Sequence, residues 1–325
     1  MRTILHRRQL LASLTIAMLP GISLAQAAWP TKPIRIIVPA SAGSGPEVIA
    51  RLIGERLAPR LGQPLFVEAI PGAAGIIGTE KAMSAAPDGH TFLLGFNQVM
   101  TMNPYLYPKL PYDPVGGVAP VSLIARGGYV LIASPKAGFT DVRGLLAQAR
   151  AQPGAIAYAS TGNGSAAHLG MELIKMQAGI DLLHVPYKSG GASTTDLIAG
   201  QIQLKLEPQS SAVPLLQGGK VRALAVTTSA RMAALPDVPT LGETIKGFSL
   251  TGWNALWAPP GTPAAIVERM SKEMRAVLQE PELHARLEKM GIDAEGSTPA
   301  ALAELTRQES AQWGQLIQRT GIKAD

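Results

Sequence analysis

The 325-residue chain has no cysteine. That excludes disulfides, thiolate nucleophiles, iron–sulfur clusters and cysteine-based zinc sites together. It leaves the redox compartment open, because a chain without thiols is indifferent to it. Aromatic residues are 5% and charged residues 16% of the chain, which is little for a base-stacking surface or a ring-lined sugar cleft. No run of lysine and arginine occurs that would grip nucleic acid or anionic lipid. Glycine and proline are plentiful, at 34 and 26 residues. A long coiled coil or simple helical bundle is therefore excluded, since both tolerate little of either inside their elements. A hydrophobic content of 46% allows a large core, and the length suggests about two domains.

Residues 1–27 read as an export signal. Arg2, Arg7 and Arg8 stand at the front without an acid. An apolar stretch follows from Leu10 to about Leu24, and Ala25-Gln26-Ala27 supplies small residues for a peptidase, which places cleavage before Ala28. Pro20-Gly21 interrupts the apolar run, which is short for a membrane span. The Arg7-Arg8 pair also permits a twin-arginine route, and a retained anchor is the competing reading. Without cysteine the chain is not a lipoprotein. Cleavage removes three of the 29 basic residues, leaving 26 against 23 acidic residues, a net charge of +3 in place of +6. No later stretch reaches 18 apolar residues, so the mature chain is expected to be soluble and outside the cytoplasm.

Strand-like and helix-like runs then alternate. Strands are expected at 34–38, 65–68, 91–95, 121–124, 129–133, 155–159, 184–186, 204–206 and 223–227. Helices are expected at 46–61, from the turn at 71–75 through Met83, from an N-cap at Thr140 through Arg150, and from near Ser165 and Gly191. This alternation predicts an α/β fold with a mostly parallel sheet. After a strand at 253–257, helices dominate at 263–279, 281–290 and 299–319, each with proline in its first turn. In the last, Leu302, Leu305, Glu309, Trp313, Leu316 and Ile317 form one packing face.

Two strand-to-helix segments share a design: Val38-Pro-Ala-Ser-Ala-Gly-Ser-Gly-Pro-Glu47 and Tyr158-Ala-Ser-Thr-Gly-Asn-Gly-Ser-Ala-Ala-His168. Each has a Gly-x-Gly step flanked by hydroxyl residues and opens a helix, whose first turn offers unpaired N–H groups and partial positive charge. Small anions suit that geometry. Ser41, Ser44, Ser160, Thr161 and Ser165 add hydroxyl donors, and Ser189-Gly-Gly-Ala-Ser193 is a third candidate loop. Either loop alone is as well explained as a plain connection; two of one design favour binding at the carboxyl ends of strands. His168 is either an anion donor or a packing histidine, and His184 is expected to be structural. Glu47 is either a first-turn acid favoured by the helix dipole or a receptor for a ligand donor. Enzyme motifs are missing. There is no Gly-x-Ser-x-Gly elbow, no full dinucleotide fingerprint, no phosphate-loop Gly-Lys-Ser/Thr and no His-Glu-x-x-His. The histidines at 90, 168, 184 and 284 lack metal-ligand spacing, so no metal and no cofactor is expected.

The mature chain resembles the Bug-family receptors, the extracytoplasmic solute-binding components associated with tripartite tricarboxylate transporters. The resemblance rests on motifs in register. They begin with Trp29-Pro-Thr-Lys-Pro-Ile-Arg-Ile-Ile-Val-Pro39, Val67-Glu68, Pro71-Gly-Ala-Ala-Gly75, Gly78-Thr-Glu80 and Ala86-Pro-Asp-Gly-His-Thr91. Asn103-Pro-Tyr-Leu-Tyr107, Leu110-Pro-Tyr-Asp-Pro114, Ser160-Thr-Gly-Asn-Gly-Ser165 with His168, and His184-Val-Pro-Tyr-Lys188 follow. Gly219-Lys-Val-Arg-Ala-Leu-Ala-Val226, Pro236-Asp-Val-Pro-Thr-Leu241 and Ala258-Pro-Pro-Gly-Thr-Pro263 close the series. The resemblance implies a periplasmic binding protein of type II, a two-lobed flytrap with two strand crossings near Gly127 and Ser249. Its lobes would be 28–127 with 250–325, and 128–249.

It further implies a monomeric, non-catalytic periplasmic receptor for a small carboxylate: a dicarboxylate, tricarboxylate, amino acid or aromatic acid. Its partners would be the membrane subunits of a tripartite tricarboxylate transporter, or a sensor, and not nucleic acid. The expected ligand contacts are Ala40, Ser41, Gly43, Ser44, Gly45 and Glu47 in the first loop, and Ser160, Thr161, Gly162, Gly164, Ser165 and His168 in the second. Tyr187, Ser189 and Glu207 are added beside them. Departures from the family pattern include Ala40 for an aromatic residue, Glu47 for aspartate and Lys205-Leu206-Glu207 for Met-Phe-Asp. Lys205 is either exposed or a cation for a second acid group on the ligand. The stretch Asn97-Gln-Val-Met100 carries no readable motif. The competing function is an extracytoplasmic hydrolase or lyase, for which Ser165 with His168 is the local candidate.

Overall fold

The structure, a computed structural model, describes residues 29–187 and 190–324. The expected export signal and Ser189 lie outside them. The first elements are β1 (Ile34–Val38), α1 (Gly45–Leu61), β2 (Leu65–Ala69), α2 (Ile76–Met83) and β3 (Thr91–Phe96). A π-helical turn, Gln98–Met102, leads through α3 (Asn103–Leu106) to the long β4 (Ala119–Ala133). Then come α4 (Val142–Ala151), β5 (Ala157–Ser160), α5 (Ala166–Ala178), β6 (Leu183–Pro186), α6 (Gly190–Ala199) and β7 (Leu204–Pro208). The chain continues through α7 (Gln209–Gln217), β8 (Arg222–Val226) and β9 (Thr251–Ala258). It ends with α8 (Ala264–Leu278), α9 (Pro281–Lys289), β10 (Asp293–Ala294) and α10 (Pro299–Thr320).

Local chemistry sets the helix ends. In α1, Pro46 occupies the first turn, where its missing N–H costs nothing, and left-handed Gly62 returns its N–H to the Ala58 carbonyl at 2.9 Å. The cap of α4 is Asp141, not Thr140; its carboxylate accepts from Gly144 N at 2.7 Å. An Asp side chain satisfies an orphan N–H and adds charge at the positive helix end, so it outcompetes the neighbouring threonine. Thr298 caps α10 by accepting from Ala301 N.

The sheet runs in the order β2-β1-β3-β9-β4-β7-β5-β6, with β10 and β8 also pairing with β4. Strands β1, β2 and β3 are mutually parallel, as are β5, β6 and β7. The mostly parallel sheet expected from the alternation is thus two parallel groups joined by an antiparallel middle. In that middle β9 runs against β3 and β4, and β4 runs against β7, β8 and β10. The reason lies in β4. The sequence suggests two strands interrupted at Arg126-Gly127-Gly128, but the backbone stays extended through them as one 15-residue strand. Gly127 and Gly128 pair with Gly252 and Thr251, and the next residue, Tyr129, pairs with Pro208. Partner strands supply ladder bonds on both sides of the glycines, which outweighs their poor strand propensity.

Strand β4 feeds four apolar clusters. Val121, Ile124 and Ala125 pack with β1, α1 and α8 residues such as Ile36, Ile53 and Met270. Leu123 faces Trp253 and Trp257. Past the glycines, Leu131 and Ala133 join Tyr158, Leu173 and Leu206, while Val130 and Ile132 face Leu197 and Val226. Past the glycines the side chains alternate between faces; before them, register shifts at Pro120/Ser122 and Leu123/Ala125 break the alternation, so the adjacent Ile124 and Ala125 share one cluster. Helix α10 repeats the bridging. Leu302 packs beside Trp257, whereas Trp313, Leu316 and Ile317 pack in the cluster of Leu131 and Leu206. Among the described residues no helix is long and apolar enough to cross a membrane.

Between those two stretches of α10 sits Glu309. Burial pushes its pKa up; the Trp253 indole, the Arg126 charge, the Asn97 amide and the Trp313 indole oppose this without cancelling it. Neither indole N–H completes a well-formed hydrogen bond, and Glu309 Oε2 has no partner. A carboxyl whose pKa is raised on folding favours the native state below its unfolded pKa, and that contribution is lost as pH rises through the folded value. Glu309→Gln keeps the shape and removes the buried charge. Its melting temperature is expected to exceed that of the parent at pH 8, with the gap closing toward pH 4; thermal unfolding followed across that range checks it.

Candidate functional site

The carboxyl ends of β1, β5 and β7 each feed a helix, and the first turns of those helices converge. Gly45, Pro46 and Ile49 of α1, Ala166 of α5, and Gln209 and Ser210 of α7 line one cavity of about 270 Å³. Its floor is the sheet middle, Arg126 to Tyr129 and Gly252 to Asn254. Phe96 and Gln98 form one wall. Three helix starts around one space place unpaired N–H groups and positive dipole ends there, with apolar rings beside them.

The two glycine loops flank this cavity, but their side chains do different work from that expected. In the first loop Ser41 and Gly43 are exposed, Gly45 is exposed and lines the cavity, and Ala40 and Ser44 are half-buried. The Ser44 hydroxyl oxygen is buried without a partner. Glu47 is 4% exposed and turned into its own loop: it accepts from Gly43 N at 3.3 Å and pairs with Arg51. The carboxylate therefore clamps the loop and does not line the cavity. Gly43 has φ of +77°, a left-handed conformation costly for other residues.

In the second loop Ser160 is fully buried. Its hydroxyl lies 3.1 Å from both Gly162 N and Gly162 O and 2.6 Å from His184 Nε2. It shapes the loop and does not face a ligand. Ser165 accepts from His168 N at 3.3 Å, an N-cap, and Gly164 N donates to His168 Nδ1 at 3.1 Å. That acceptor role puts the proton of a neutral His168 on Nε2. His168 stacks on His184 with ring centroids 3.8 Å apart, and His184 stacks on Tyr158 at 4.9 Å. His184 thus holds the second loop from below through both Ser160 and His168, a role its sequence neighbours do not reveal. Thr161 is exposed, Gly162 is half-buried with φ of +116°, and Gly164 is buried.

The outlying candidates are occupied elsewhere. Tyr187 donates to Asp196 Oδ2 at 2.7 Å, and burial together with that bond raises its pKa to about 12. Lys205 is neither exposed nor aimed at a ligand. It is 2% exposed, and its ammonium donates to Gly190 O at 3.1 Å and Thr194 Oγ1 at 2.9 Å and pairs with Glu207 at 2.5 Å. It fastens the start of α6 to β7, and Glu207 is the counter-charge that makes its burial tolerable. Of the expected contacts among the described residues, only Gly45 lines the cavity directly. Phe96, Gln98, Arg126, Tyr129, Gln209 and Asn254 line it without having been expected. The signal for Gln209 was present: Glu207-Pro208-Gln209 is a third strand-to-helix junction, without glycine to mark it. Gln98 falls in the stretch that carried no motif. Among the described residues no group of three or more His, Asp or Glu side chains could hold a metal ion.

A Cβ added at Gly43 or Gly162 would meet no atom within 4 Å. Substitution there strains only the backbone, at about 1–3 kcal/mol. Gly43→Val and Gly162→Val are expected to lose ligand binding while still folding cooperatively; circular dichroism melts beside titration calorimetry separate the two effects.

Residues 49–322 match the family model described as the tripartite tricarboxylate transporter family receptor. The chain is 34% identical over 323 residues to the "UPF0065 protein in tcbD-tcbE intergenic region" of Pseudomonas sp. strain P51, covering 98% of this chain and 96% of that protein. It is similar to a solved R. palustris protein, Rpa4515 with adipate, at 31% identity and a TM-score of 0.80, covering 91% of this chain and 99% of the other. It is also similar to MatC from Rhodopseudomonas palustris with bound malate, at 29% identity and a TM-score of 0.76, covering 89% and 99%. The fold is that of the type II periplasmic binding proteins, a two-lobed α/β flytrap with β4 and the entry to β9 as its strand crossings. With the family model spanning most of the chain and these relatives nearly full length, the protein belongs to the tripartite tricarboxylate transporter receptor family, the Bug-type periplasmic solute-binding receptors.

Proposed function

We propose that the protein captures a small carboxylate between two lobes, 28–127 with 250–325 and 128–249, and presents it to the membrane subunits of a tripartite tricarboxylate transporter. The observation that carries this reading is the cavity onto which the first turns of α1, α5 and α7 open. Oriented backbone N–H groups hold a carboxylate without a buried cation. The volume, about 270 Å³, lies just below the ~300 Å³ at which drug-sized clefts begin, which favours a small acid. Adipate and malate, held by the two solved relatives, are short dicarboxylates of that kind. The site is read as Ala40 to Gly45 facing Thr161 to Ser165, with Glu47, Ser160, His168 and His184 holding the loops in shape. Closure of the lobes on the ligand is the working step, driven by the ligand's higher affinity for the closed state. The second half of α10, packed on the 128–249 lobe, would travel with it.

Catalysis is disfavoured by the same geometry. Ser165 meets the backbone of His168, not its ring. Ser160 and His184 are at nucleophile–base distance, but Ser160 is fully buried and its oxygen is engaged by its own loop. Export and periplasmic residence follow from residues 1–27 read as a cleaved signal. The test is a thermal-shift screen of mono-, di- and aromatic carboxylates on the mature chain. A ligand at 100 times its Kd stabilises the fold by about 2.7 kcal/mol, so the correct acid raises the melting temperature by several degrees. A response to neutral sugars or cations, with none to any acid, would falsify the carboxylate reading.

A further inference from the structure

The cavity between the loops has a neighbour. A second cavity of about 400 Å³ lies beside it, bounded by the 228–234 loop, Thr251, Glu288 and Asp293. Arg126, Gly127 and Gln209 line both. These residues therefore stand where the two spaces meet, and Gln209 is the one that closes the gap across them. It is the first residue of α7, while the backbone opposite belongs to Gly291, between α9 and β10. A Cβ built on Gly291 would lie 3.0 Å from both Cγ and Nε2 of Gln209, so the glutamine side chain rests on a backbone that only glycine leaves open. Gly291 also has φ of +72°. The contact joins an element of 128–249 to one of 250–325, so it forms when the two sides approach.

Gln209 is only 8% exposed, and among the described residues its amide makes no hydrogen bond. Its amide atoms are not among the fully buried polar atoms that lack a partner, so they keep access to the cavity space. What remains accessible of it faces the two cavities. Arg126 stands beside it, its guanidinium bound to Glu295 at 2.5 Å and 28% exposed. Lys205, the cation that the sequence offered for a second acid group, is spent on Gly190, Thr194 and Glu207.

We propose that Gln209 is the length-determining residue of the cleft. Its amide donates to the far group of a ligand whose near carboxylate sits between the glycine loops, with Arg126 supplying positive potential behind it. Its side chain also walls off the second cavity. This rests on the carboxylate reading and makes it narrower: the ligand class is short α,ω-diacids, and longer diacids are refused because Gln209 blocks the way into the space beyond.

Titration calorimetry with an unbranched diacid series from four to ten carbons tests this on the mature wild-type chain and three variants. Wild type is expected to bind the shorter diacids best and to fall off toward eight carbons. Gln209→Ala loses about tenfold in affinity for the short diacids, the equivalent of one hydrogen bond to a charged group. It gains affinity for diacids of eight or more carbons as the two cavities merge. Gln209→Asn keeps the amide and shortens the arm by one methylene, so its optimum moves to a longer diacid. Gln209→Glu weakens diacids far more than the matching monoacids, because it sets a carboxylate against the far carboxylate. Melting curves of each variant confirm folding. Unchanged length profiles in all three variants, with diacids still bound, overturn the assignment of Gln209 and leave the carboxylate reading standing. Absence of binding by any carboxylate in wild type overturns both.

Discussion

One extended strand, β4, is the constraint on which the rest of the molecule depends. Its first ten residues are laddered to β9, its last five to β7 and β8, and its side chains enter every apolar cluster. A strand shared in this way ties the two parallel groups together. Gly127 and Gly128 lie on that strand, in the floor of the cavity. The helix starts reach the cavity only because β1, β5 and β7 all point their carboxyl ends toward the line where β4 passes from one group to the other.

The two glycine loops are stiffened by their own polar side chains. Glu47 bends back to Gly43, Ser160 to Gly162, and His168 to Gly164. Each uses a side chain as an internal strut that accepts from a backbone amide of its own loop and fixes the turn. The Tyr158–His184–His168 stack backs the second loop with flat, closely packed rings. Such struts hold the loops in a single ordered conformation.

Charge is kept back from the cavity in the same manner. Lys205 is neutralised by Glu207 beneath α6 and Arg51 by Glu47, while Arg126 is paired with Glu295. Only Arg126 also reaches the cavity wall.

Much was legible in the sequence. The glycine loops, the alternation of strands and helices, the proline-led helices at the end and the family resemblance all rest on local patterns, and local patterns are read from neighbours in the chain. The packing face of α10 was equally plain, because helical periodicity alone predicts it. What only the tertiary structure decided involves groups brought together from distant positions. The middle of β4 is a strand because β9 and β7 pair with it, against the local signal of its glycines. Lys205 is buried because Glu207 and the start of α6 meet it. Ser160 is a strut because His184 lies 24 residues away in the chain and 2.6 Å away in space. Gln209 stands at the cavity wall because Gly291 leaves it room. Each of these depends on a partner's position, and a partner's position exists only once the chain has folded.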